Sequence, residues 1–109
     1  MDNYRDDHKA TMDALLLEMP GVKGGKAFGY PAYKVNGKVF CFVGGEGIGI
    51  KLSKERVAEL VAQGAPYRPF EPVAGTVWKA WLSIDRADSD AYREDLPLLE
   101  EAMQTVAGA

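Results

Sequence analysis

The stretch Tyr33-Lys34-Val35-Asn36-Gly37-Lys38-Val39-Phe40-Cys41-Phe42-Val43 decides the fold. Asn36-Gly37 is a two-residue turn in which both positions tolerate positive φ, and apolar runs flank it on each side. The segment therefore reads as a β-hairpin with residues 38–43 as the return strand. Toward the C-terminus, Gly44-Gly45-Glu46-Gly47 makes a second turn. Ile48, Ile50 and Leu52 then share one face of a further strand, so three strands form a meander. Toward the N-terminus, the first of the three, residues 27–35, carries Pro31. Phe28 and Tyr30 share a parity before the proline; Tyr33 and Val35 share one after it. That flip predicts a bulge or an edge strand, because proline cannot donate to a ladder.

Helices surround the meander. Residues 3–19 read as a helix, because Tyr4, His8, Met12, Leu15, Leu16 and Met19 recur at three- and four-residue steps. Asp2 or Asn3 caps it, and Asp6 and Asp7 suit its positive end. Pro20-Gly21 stops it, and Gly24-Gly25 reads as a loop. Ser53 caps a second helix running to Gln63, with Val57, Leu60 and Val61 as its stripe and Gly64 at the left-handed C-terminal position. Residues 67–70, set among Pro66, Pro69 and Pro72, read as a short irregular edge strand. Residues 76–84 alternate cleanly and make the clearest strand. Asp88 or Ser89 caps a final helix over residues 90–106, which Pro97 kinks or restarts behind Asp95 as a new cap. The order α-β-β-β-α-β-β-α predicts an α+β fold, a two-layer α/β sandwich with helices on a mainly antiparallel sheet. There is no internal repeat and no linker, so residues 1–109 read as one domain.

The 109 residues are 47% hydrophobic and 27% charged, an ordinary globular balance that excludes disorder and coiled coil for the whole chain. The longest apolar run has five residues, 39–43, too short for a membrane span. Met1 is followed by acids rather than a basic then apolar stretch, so no secretory signal is expected. The single cysteine, Cys41, cannot form an internal disulfide. A cytoplasmic protein without membrane contact is the expectation. The net charge of −3 hides a segregation. Residues 21–56 carry a net +5, between ends that carry −3 (residues 1–20) and −5 (residues 85–109). Either the middle meets a polyanion or acidic partner, or opposite ends of the chain attract each other.

Chemical motifs are mostly excluded by spacing. Gly45, Gly47 and Gly49 lie between two strands with the wrong interval for a phosphate loop, and read as turn glycines. His8 is the sole histidine, so no ordinary zinc site is expected. Cys41 has no base beside it in sequence, and reads as a small apolar strand residue. Asp85, Asp88 and Asp90 lack the glycine and glutamate of a calcium loop, and read as helix-starting acids. The expectation is a non-enzyme with no cofactor, no metal and no small-molecule ligand.

Two strands look apolar on both faces. Val39, Cys41 and Val43 alternate with Phe40 and Phe42; Trp78, Leu82 and Ile84 alternate with Val77 and Trp81. Helices cover one face, so the other needs a twin subunit, a partner, a ligand or the terminal helix. Lys38 shares parity with Phe40 and Phe42, and Lys79 with Trp81; Lys51 lies on a third strand, with Lys34 and Arg56 nearby in sequence. Bases interleaved with aromatics suit single-stranded nucleic acid, by phosphate attraction and base stacking. Lysines snorkelling over an aromatic dimer face are the competing reading.

The run Leu17-Glu18-Met19-Pro20-Gly21-Val22, the run 28–40 through Phe28-Gly29-Tyr30-Pro31 and Asn36-Gly37-Lys38, the end Gly49-Ile50-Lys51-Leu52 and the late tryptophan strand resemble the TfoX N-terminal-domain and MmcQ/YjbR-like bacterial proteins. The resemblance covers residues 12–106. It implies the secretion-chaperone-like α-β(3)-α-β(2)-α fold, and DNA-binding or regulatory roles, with no catalytic residues to carry over. The expectation is thus a non-enzymatic binding module making regulatory nucleic-acid contact through Lys34, Lys38, Lys51, Arg56, Lys79 and Trp81. The alternative is a protein-interaction module, a homodimer through the aromatic sheet face.

Overall fold

The computed structural model describes residues 3–108. The element order is α1 (Asp6–Leu16), β1 (Val22–Ala27), β2 (Tyr30–Val35), β3 (Lys38–Gly44), β4 (Gly47–Lys51), α2 (Lys54–Ala62), β5 (Tyr67–Val73), β6 (Thr76–Ile84), a 3-10 segment (Ser89–Asp95) and α3 (Leu96–Ala107). One six-stranded sheet runs β1-β2-β3-β4-β6-β5, with every neighbouring pair antiparallel. The α+β architecture is as the sequence predicts, with one strand more. Gly24-Gly25, read as a loop, lie inside β1, where they pair with Tyr33 and Ala32. The sequence there, VKGGKA, has almost no strand propensity. It is held as an edge by the ladder to β2.

The turns follow their chemistry. Asn36 and Gly37 both have positive φ, at 53° and 76°, and close the β2–β3 hairpin. Ser53 accepts the Arg56 N–H as the cap of α2, and Gly64 at φ 84° follows its end. The first helix is shorter than its apolar stripe suggests: it starts after Arg5, and Tyr4 instead forms a parallel bridge with Gly45. Asp2, one of its two expected caps, lies outside the described residues. Asp88 accepts the Asp90 N–H at the start of the 3-10 segment. Pro97 sits in the first turn of α3, so the last helical stretch does restart there. Asp95 does not cap it; its carboxylate is buried and binds Arg86 through two bonds of 2.7 and 2.9 Å.

The helices pack on one face of the sheet. Met12 and Leu16 of α1, Val57 and Leu60 of α2 and Leu98, Leu99, Ala102 and Val106 of α3 bury against Tyr33, Cys41, Val43, Ile48, Ile50, Leu82 and Ile84. Two bulges decide what the other face carries. Tyr33 pairs with Cys41 but Lys34 with Val39, which leaves Phe40 as an extra residue in β3. A bulge turns successive side chains to one side. Phe40 therefore joins the helix-side core with Cys41, while Phe42 does not. On β6, Pro69 pairs with Leu82 but Phe70 with Trp78, so residues 79–81 are spanned by a single step of β5. Trp78 and Trp81 consequently share the outer face. Strict alternation, which puts Phe40 beside Phe42 and separates the two tryptophans, is corrected at both places.

Candidate functional site

The outer face of the sheet is built around Phe42. Its ring packs against Phe28, Tyr30, Phe70 and Trp81 at centroid distances of 5.1 to 5.7 Å. Trp78 joins through Phe28 at 5.2 Å and Phe70 at 5.4 Å. Most pairs are edge-to-face, the arrangement ring quadrupoles favour; Tyr30 and Phe42 stack at 16°. Glycines make room for these rings. A Cβ at Gly44 would stand 3.0 Å from the Tyr30 ring, and one at Gly49 would collide with Phe42. The close approach of aromatic rings, rather than a tight turn, is what Gly49 serves.

The cover on this face is the β1–β2 hairpin, not the terminal helix. β2 pairs with β3 only from Ala32 onward, so the hairpin tip is free of the sheet plane. Three strand steps separate β2 from β6, about 14 Å at ordinary strand spacing. Yet Phe28, at the tip, meets Trp78 and Trp81 on β6 at 5.2 and 5.8 Å. The tip must therefore fold across the face. Phe28 does so with φ 57°, a left-handed conformation rare for a bulky residue, and the residue remains 50% exposed.

Charge divides this face into two ends. At the end where Ile48 pairs with Ile84, Arg68 binds Asp85, and Glu46 stands in the neighbouring turn. A cavity of about 310 Å³ opens there between the hairpin tip and β5–β6, lined by Phe28, Tyr30, Phe42, Phe70, Trp78, Arg68, Glu46, Glu71 and Asp85 among others. At the opposite end, Lys51 pairs in register with Trp81. Lys23 and Lys34 face each other directly across β1 and β2. Lys34 extends beside Gly25 on that same side. A model of the YjbR family matches residues 17–104. The chain belongs to the YjbR family. No curated protein and no solved structure matches it.

In this YjbR-family chain the six expected contact residues divide into groups. Lys34, Lys51 and Trp81 share the outer face. Lys38 pairs with Val35, whose side chain packs on the helix-side core, so it shares no side with Phe42. Arg56 is engaged: its Nε donates to Glu101 at 3.1 and 3.2 Å, and Glu59 lies at 3.8 Å. Lys79 lines a groove beside α2 with Lys54, Val57, Val61, Pro69 and Val77, on the side opposite Trp81. The bulge in β6 explains the misplacement, because it breaks the parity that linked Lys79 to Trp81. Sequence reasoning missed Lys23 because β1 read as loop. It missed Phe28 as a hairpin tip, although Phe28-Gly29 followed by an alternating run was the available signal.

The cysteine and the histidine sit away from this face, whereas the Ser83 hydroxyl lies in the lining of its cavity. Cys41 is fully buried, and burial pushes its thiol well above the ordinary range. His8 is fully buried; Nε2 lies 2.9 Å from the Arg86 carbonyl, the ring meets Tyr92 edge-on, and Nδ1 has no hydrogen-bond partner among the described residues. Tyr33 donates to Asp13 at 2.6 Å, and burial raises its hydroxyl, reinforced by the Asp13 carboxylate. Among the described residues no group of three metal-ligating side chains converges, and no helix is long and apolar enough to cross a membrane.

Proposed function

We propose that this chain is a non-catalytic binding module whose outer sheet surface contacts single-stranded nucleic acid along Lys23, Lys34 and Lys51. The observation that carries this reading is the Lys23–Lys34 pair. Two like charges directly opposite in an antiparallel ladder repel and destabilise the sheet. Neither has an acidic partner among the described residues. A phosphate between them turns that repulsion into attraction. Lys51 opposite Trp81 adds a cation beside a partly exposed ring, the pairing used on stacking platforms. A regulatory role in the cytoplasm accords with this, and a buried free thiol suits a reducing compartment.

One observation favours a second reading. Glu46 and Asp85 stand at one end of the face and Lys51 at the other, so a twofold-related copy would pair acids with bases. The test for both is size-exclusion chromatography with light scattering, with and without a single-stranded oligonucleotide, at low and high salt. The first reading predicts a monomer that gains mass with oligonucleotide at low salt and loses it at high salt. A dimer indifferent to oligonucleotide supports the second reading and overturns the first.

A further inference from the structure

The cavity at the acidic end of the outer face has a composition that selects its occupant. Its walls are the rings of Phe28, Tyr30, Phe42, Phe70 and Trp78, brought together from the hairpin tip, β3, β5 and β6. Three carboxylates line it against one guanidinium. Arg68 is committed to Asp85, which leaves Glu46 and Glu71 as net negative charge. Glu46 is 79% exposed and, among the described residues, pairs with Arg5 alone, at 4.0 Å; Glu71 accepts the Gly75 N–H.

We propose that this cavity binds an organic cation, an alkylated ammonium group seated among the rings with Glu46 and Glu71 as counter-charges. Ring faces carry negative quadrupole charge and attract ammonium groups, most strongly when the cation sheds water. An anion would meet both this field and the carboxylates. A neutral apolar ligand would desolvate the carboxylates without compensation. The volume of about 310 Å³ fits a small ligand or one side chain of a partner. The site is separate from the lysines at the other end of the face, so this assignment stands whether or not they bind phosphate.

The experiment titrates the whole protein with choline, and in parallel with 3,3-dimethylbutan-1-ol, which has the same shape without the charge. Tryptophan fluorescence and amide chemical shifts are followed. Choline is expected to quench fluorescence and shift the amides of Tyr30, Phe70 and Trp78, and the neutral alcohol to bind about tenfold more weakly. E46Q, which changes an exposed side chain and leaves the fold alone, should weaken choline about threefold without altering the alcohol. Equal binding of the two probes would make the cavity merely apolar and overturn the proposal. So would the absence of choline-induced shifts at these amides in the folded protein.

Discussion

The ring of Phe42 occupies the space where a side chain on Gly49 would begin, across the β3–β4 pair. Phe42 is 2% exposed and hemmed by four other rings, so it has nowhere to retreat. G49A should therefore cost about 1–3 kcal/mol, read as a lower urea midpoint with unchanged m-value. G25A is the control, because its Cβ would touch only the flexible end of Lys34 at 3.6 Å, and it should be nearly neutral. Equal tolerance of both would mean that the aromatic cluster is loosely packed.

Phe28 offers a comparison of ring against backbone. The left-handed conformation costs a non-glycine residue about 1–2 kcal/mol. Both F28A and F28G lose the contacts with Phe42, Trp78 and Trp81. Glycine alone relieves the strain at φ 57°. F28G should thus be more stable than F28A by about 1 kcal/mol in paired denaturation curves. The reverse order would show that the hairpin tip does not hold this conformation.

What was legible in the sequence is what local chemistry dictates. Asn36-Gly37 and Gly64 act through their own backbone and Ser53 through its side-chain oxygen on the nearby Arg56 N–H, and each stands as read. The second-face aromatics were legible as a problem to be covered, but not the cover itself. Strand β1 is formed by pairing with β2 and has no pattern of its own, so Phe28-Gly29 was the one local sign of the hairpin that carries Phe28. The grouping of Lys38 and Lys79 with aromatics failed because the bulges at Phe40 and at residues 79–81 reset the two-residue period. Bulges leave no simple trace in composition. The Arg86–Asp95 pair was missed for a related reason: Asp95 before a proline-started helix reads as a cap, and only tertiary packing turns it to Arg86.

That pair sets a third prediction. Asp95 is 1% exposed and depends on Arg86 for both of its oxygens. D95A would leave a largely covered guanidinium without its counter-charge and should cost about 3 kcal/mol. The double replacement R86M with D95L, which removes both charges, should cost less than D95A alone. A double variant no better than D95A would show that the pair contributes by shape rather than charge.

Alkaline stability follows from three raised groups. Burial lifts Tyr92 to about 12 from 10.0, and lifts Tyr33 and Cys41 further from 10.0 and 9.0. The unfolded chain releases these protons first, so the folded state is favoured fully below about pH 9 and loses ground as pH rises through the unfolded values. Denaturation midpoints should be level from pH 7 to 8.5 and fall steeply above 9.5, with C41V delaying the onset. A midpoint unchanged to pH 11 would contradict the burial of these groups.

The most direct test of the proposed role is an amide chemical-shift titration of the protein with a single-stranded oligonucleotide at low salt. Shifts should concentrate at Lys23, Lys34, Lys51 and Trp81 and disappear in K34E, while the far-ultraviolet spectrum of the variant stays unchanged. Shifts confined to the α2 groove around Lys54 and Lys79, or none at all, would contradict the assignment of the outer sheet face as the nucleic-acid contact.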